Sequence, residues 1–139
     1  MTMLHMHRTQ RATRPVHRSL AGFAMANALA AWSGAVGLIG GGLSFGSRLD
    51  QRLPFDSTVL AGVALAAVVA VPLSSLAWLA WRGAARTAAM AMASGALLIG
   101  WIVVQLWFLR AFSWFQPAYV VIGAVLLIWG RRIDLSARR

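Results

Sequence analysis

The chain has no cysteine, no lysine and no glutamate. Without cysteine it forms no disulfide, runs no thiol redox chemistry and offers no thiolate to a metal. Without lysine, its net charge of +10 rests on arginine alone. The most informative absence is positional. No Asp, Glu, His, Lys or Arg falls within 19–44, 58–81, 88–109 or 113–130. A charge kept inside a membrane costs at least about 2.5–3.5 kcal/mol and is retained where ions or protons pass. Its absence argues against a carboxylate-coupled proton antiporter, since the small multidrug exporters depend on a first-helix glutamate. A transmembrane haem wants histidines in the helices, and His5, His7 and His17 all lie in the amino tail. His5 and His7 form a pair with no third ligand nearby, which makes no metal site. No acid–base or nucleophile pair sits where a membrane would shield it. The expectation is a non-enzymatic protein with no catalytic residue, no cofactor and no metal.

What is present is apolar. The hydrophobic share is 60% and the charged share 12%, against roughly 45–50% and about 25% in soluble domains. Mean hydropathy is +0.70, and the arginines sit at the ends of apolar runs. That placement points to a membrane protein and away from nucleic acid, the partner a basic chain otherwise suggests. At 139 residues the chain is one domain.

The pattern predicts an all-α integral membrane bundle of four transmembrane helices, at 19–44, 58–81, 88–109 and 113–130, with basic tails at 1–18 and 131–139. The third helix is the clearest. It runs from Ala88 to Leu109 without a charge, enough at 1.5 Å per residue to cross a hydrocarbon core about 30 Å thick. Ala89, Ala93, Ala96 and Gly100 recur at helical spacing and predict a face that another helix approaches closely. Ser94, Leu98, Trp101 and Gln105 make a second face, with the helix's only amide.

The first helix offers two small-residue faces, one through Ala26, Ala30, Ser33, Gly37, Gly40 and Ser44 and one through Asn27, Gly34 and Gly41. Ala28-Leu29-Ala30 imitates a signal-peptidase site, but the apolar run before it is short and the helix is expected to stay. Pro15 disfavours a regular helix in the tail. In the second helix Gly62, Ala66, Ala70, Ser74 and Ala77 form the small stripe. Pro72 predicts a kink that frees the Val68 carbonyl, to be satisfied by Ser74, Ser75 or another helix. Asp56 or Ser57 is placed to cap that helix. The last helix reaches spanning length only if it starts near Ser113, within an aromatic belt.

Ten arginines lie in the two tails and the second loop, against three in the first and third loops. By the positive-inside rule both termini face the cytoplasm, here of a bacterial inner membrane.

Two polar groupings remain. Asn27, Ser74 or Ser75, and Ser94 fall at similar depth toward the cytoplasmic side and read as interhelical hydrogen-bonding groups. Trp101, Gln105, Arg110, Gln116 and Tyr119 fall toward the outer side and read as a lipid or ligand contact. Gly37, Gly41, Ala93, Ala96, Gly100 and Gly123 are the expected helix-packing positions, and Pro72 the kink.

Arg52-Leu53-Pro54-Phe55, the Val71-Pro72 helix, Gly100-Trp101-Ile102-Val103-Val104-Gln105, and Phe112-Ser113-Trp114-Phe115-Gln116-Pro117 with Tyr119 and Gly123 resemble small uncharacterised bacterial four-helix membrane proteins. The resemblance begins at Gly40 and leaves the amino tail outside. It implies the same four-span fold and supplies no activity. The expected function is an accessory or scaffold subunit of a larger membrane complex, with lipids and other membrane subunits, or itself, as partners. The alternative is a small homo-oligomeric transporter or binding protein for a neutral or lipidic molecule.

Overall fold

A computed structural model describes residues 2–42, 57–110, 112 and 114–139. Four helices make up these residues, and no strand occurs among them. They are α1 (Thr2–Ile39), α2 (Thr58–Arg82), α3 (Thr87–Leu109) and α4 (Phe115–Ala137). Three segments are long and apolar enough to cross a membrane: His17–Ile39 within α1, Thr58–Arg82, and Thr87–Trp107 within α3. The chain is therefore a helical membrane protein in its composition and its architecture.

Helices α2 and α3 begin and end within a residue of expectation. The other two do not. α1 starts at Thr2 and passes through Pro15, where a separate tail was expected up to residue 18. The residues before Pro15 are mostly Met, Leu, Arg, Gln and Ala, good helix formers that outweigh one lost donor. α4 starts at Phe115 and continues past Gly130 to Ala137. Nothing after Gly130 breaks a helix, and Arg138 pairs with Asp134 at 3.1 Å in the last turn.

Local chemistry closes the helix ends. The Ser57 hydroxyl accepts the Leu60 N–H at 3.3 Å and starts α2. Gly83, at φ +63°, ends it. Its N–H donates to the Ala80 carbonyl at 3.1 Å, and the Ala84 N–H to Leu79 at 3.0 Å. Only glycine takes that left-handed turn without strain. Gly41, a predicted packing residue, instead terminates α1 at φ +72°. Residues 43–56, and with them Ser44 and Asp56, lie outside the described residues.

Packing joins α1 to α2 and α3 to α4, with α3 also lying against α2. α1 and α4 meet where Phe23 and Trp129 pack edge to face at 5.9 Å. Leu20, Ala24, Ala28, Leu73, Leu76, Leu98 and Leu126 anchor the shared core. On α1 the buried residues Ala21, Ala24, Ala28, Ala31, Ala35 and Leu38 recur in steps of three and four, with Leu20 beside them. Ala26, Ala30 and Ser33 are exposed and Gly37 is half-buried, so the first small-residue face predicted for this helix points largely outward.

The α3/α4 pair approaches backbone to backbone. A Cβ on Gly95 would lie 2.6 Å from the Gly123 carbonyl oxygen, and one on Gly130 2.8 Å from that of Ala88. Ala88, Gly95 and Ile102 on α3 face Gly130, Gly123 and Gln116 on α4, each set in steps of seven. The predicted packing residues Ala93, Ala96 and Gly100 are exposed, and a Cβ on Gly100 would touch nothing within 4 Å. α3 carries small residues on more than one face. Gly123 and Gly130 on α4 select the one that passes through Gly95.

Candidate functional site

Apart from Ser94, the inner polar grouping finds partners close by. Asn27 Nδ2 donates to the Phe23 carbonyl at 2.8 Å, and the Ser75 hydroxyl to Val71 at 2.9 Å, both within one helix. One bond crosses between helices: Trp32 Nε1–H donates to Ser74 Oγ at 3.1 Å, and that hydroxyl donates on to the Ala70 carbonyl at 2.7 Å. Trp32 is not legible as a site residue in the sequence, because its partner Ser74 lies 42 residues away and is brought to it only by the pairing of α1 with α2.

Pro72 acts through the turn before it. Ala66–Ala70 form a π-helical turn within α2, and the Val71 N–H reaches the Ala66 carbonyl, one residue further back than in an α-helix. This widening relieves the proline ring of its clash with the carbonyl four residues earlier. It also redistributes donors. Ala67 has lost Val71, and its next donor in the π register is Pro72, which has none. Val68 has lost Pro72 in the α register and keeps only Leu73 in the π register. Two successive carbonyls therefore share one intrahelical donor. Ser74 and Ser75, expected to serve Val68, bond Ala70 and Val71 instead.

The outer grouping is spread over several environments. Trp101 and Tyr119 are half-buried against the core. Gln105 is half-buried, Gln116 is 7% exposed, and Arg110 is fully on the surface. The α3/α4 register puts Gln116 level with Ile102 and Tyr119 level with Ile99, so both flank the turn of Trp101. The Arg110 backbone also closes α3, with φ +45° and its N–H on Leu106 at 3.1 Å. It is the one non-glycine residue with a positive φ among the described residues, and it marks the turn into the aromatic belt.

Two side chains on α3 stand out. Ser94 is 2% exposed and its hydroxyl has no partner among the described residues. The buried Nε1 of Trp101 likewise has none. The two are seven residues apart, on the same face of the helix, about 10 Å along its axis. Gln105 continues that face. The tight α2–α3 turn makes the two helices antiparallel, so that counting residues from it brings Trp101 to about the level of Val68, and α3 packs against the π turn. A buried polar group without a partner costs about 1–3 kcal/mol, so each such atom asks for an explanation.

No three His, Asp or Glu side chains come together among the described residues in a way that would hold a metal. What the region offers is uncharged: hydroxyl, indole and carbonyl groups at mid-span, capable of hydrogen bonding and without a group to move protons. The chain matches no family model, no curated protein and no solved structure.

Proposed function

We propose that this protein is a non-enzymatic accessory or scaffold subunit of a larger membrane protein complex. One observation carries the reading. The bundle leaves its small-residue faces open, Ala26, Ala30 and Ser33 on α1 and Ala89, Ala93, Ala96 and Gly100 on α3. Inside a membrane, helices associate through such faces, because lipid gives apolar surface no reason to hide. The absence of charge within the spans supports a structural role over transport of ions.

In this reading α4 is the fourth span. Its uncharged part, 115–130, measures about 24 Å, short of a core about 30 Å thick. Trp114 and Phe115 at one end and a snorkelling Arg131 at the other make up the difference. Both termini then face the cytoplasm of a bacterial inner membrane. Because the chain has no cysteine, single cysteines introduced at Thr2 and Ser136 report this directly. Labelling of either from the periplasmic side refutes the topology.

Native mass spectrometry of the tagged protein, released gently from its own membranes, tests the subunit reading. A heteromeric complex of fixed stoichiometry is expected, lost on Gly100→Leu while the monomer stays folded. A strictly monomeric particle overturns it. The unpartnered Ser94 and Trp101 atoms favour a second reading, a small homo-oligomeric transporter or binding protein for a neutral or lipidic molecule. A homo-oligomer carrying a recurrent small mass would select it.

A further inference from the structure

We infer that the contact between α3 and the π turn of α2 holds a neutral lipid that carries both a free hydroxyl and ester carbonyls, of the diacylglycerol class. The inference is independent of the subunit reading, since a subunit and a solitary binding protein can both hold such a molecule.

Three observations fall along the stretch where α3 lies against α2. The first is the indole N–H of Trp101, buried and without an acceptor. The second is the hydroxyl of Ser94, 2% exposed and equally without a partner. The third lies across the helix contact, where the Ala67 and Val68 carbonyls share a single intrahelical donor because Val71 has moved to Ala66 and Pro72 has no N–H. α3 supplies hydrogen-bond donors and α2 supplies an acceptor. No Asp, Glu, His, Lys or Arg lies on α2 before Arg82 or on α3, so an ionised headgroup has nothing to answer it and a neutral one is selected.

The complement of two donors and one acceptor is a molecule with carbonyl oxygens and a hydroxyl. In diacylglycerol the ester carbonyls accept from Trp101 and Ser94, and the free hydroxyl donates to the α2 carbonyl. The two residues are about 10 Å apart along α3, a spacing suited to an elongated ligand with more than one acceptor. The acyl chains run beside apolar residues that are exposed on both helices, Val63 on α2 and Val104 on α3 among them. π turns inside α-helices recur at functional sites.

The test is native mass spectrometry of the full chain in detergent micelles titrated with 1,2-dioleoylglycerol, and in parallel with its 3-O-methyl ether, which lacks only the hydroxyl. The wild type should retain the free alcohol about tenfold better than the ether, the upper end of what one hydrogen bond gives. Trp101→Phe and Ser94→Ala should each weaken retention of the alcohol about threefold to tenfold. Pro72→Ala restores an N–H to α2 and should bring the alcohol down to the level of the ether. Far-UV circular dichroism establishes that each variant is folded, and Pro72→Ala guards against misreading a variant that packs badly at α3. Equal retention of alcohol and ether by the wild type overturns the inference, as does undiminished binding in the folded variants. So does a wild type that retains neither lipid while Trp101→Phe raises its unfolding temperature, since the buried atoms are then simply unpaired.

Discussion

The two hairpins of this bundle hold together by different means. α3 and α4 meet at their backbones, with Gly95 against Gly123 and Gly130 against Ala88. α1 and α2 have one comparable approach, Gly62 against the Ala35 carbonyl and the side chain of Ile39, and add the Trp32–Ser74 hydrogen bond. In a membrane, where apolar burial between helices gains little, close van der Waals contact is the stronger device and a single hydrogen bond averages about 0.6 kcal/mol. The α3/α4 pair is accordingly expected to be the harder of the two to pull apart.

The sharpest way to break that comparison is Gly95→Ala. Its new Cβ would meet a backbone oxygen at 2.6 Å, so the helices must separate, at a cost of about 3 kcal/mol. Gly100→Ala on the open face of the same helix should instead gain up to about 1 kcal/mol from helix propensity. Thermal unfolding in micelles, followed by circular dichroism, should move the two variants in opposite directions. Gly62→Ala is expected to cost less, about 1–2 kcal/mol, because its backbone neighbour, the Ala35 carbonyl, stands at 2.9 Å and its nearest contact, Ile39, is a side chain that can turn aside. Arg110→Gly should stabilise by about 1 kcal/mol by relieving the left-handed cap of α3, read as a rise in the same unfolding temperature. The smallest effect is expected of Trp32→Phe, a loss of about 0.6 kcal/mol. Ser74 keeps its bond to Ala70 in that variant, so nothing is left stranded. If Trp32→Phe proved as damaging as Gly95→Ala, the ranking of contact over hydrogen bond would be wrong for this protein.

Much of the architecture was legible in the sequence, because charge-free runs and turn residues are local signals. The bounds of α2 and α3, the Ser57 cap and the glycine turn at Gly83 all follow from a few neighbouring residues. The working faces of the helices were less legible. Ala89, Ala93, Ala96 and Gly100 make as good a stripe as the one through Gly95, and only the partner decides between them. The deciding signal was present but distant: Gly123 and Gly130 stand seven residues apart on the facing helix, matching Ala88 and Gly95. The stripe read on α2 fared better, with Gly62, Ala70 and Ala77 buried and Ala66 and Ser74 half-buried. Pro72 announced a disturbed turn, yet its form, a π turn that leaves Ala67 and Val68 one donor between them, depends on how the backbone relaxes. Of the proposed contact residues, Trp101 holds a buried indole N–H without a partner, and Arg110 carries the left-handed cap of α3 in its backbone. Ser94 was placed with the inner grouping and stands on the same face as Trp101.

The π turn has a consequence for how this gene can change length. A π turn is an α-helix with one residue too many, so removing one residue from 66–70 would return the segment to α-helical phase. The parts of α2 on either side would keep their present facings toward α1 and α3. The same deletion within α3 would rotate everything beyond it by about 100° and pull Gly95 out of register with Gly123. Only the ring of Pro72, brought back against a carbonyl four residues earlier, opposes the shortening in α2. The proline thus acts as a lock on an insertion, holding in place a residue that the rest of the fold does not require.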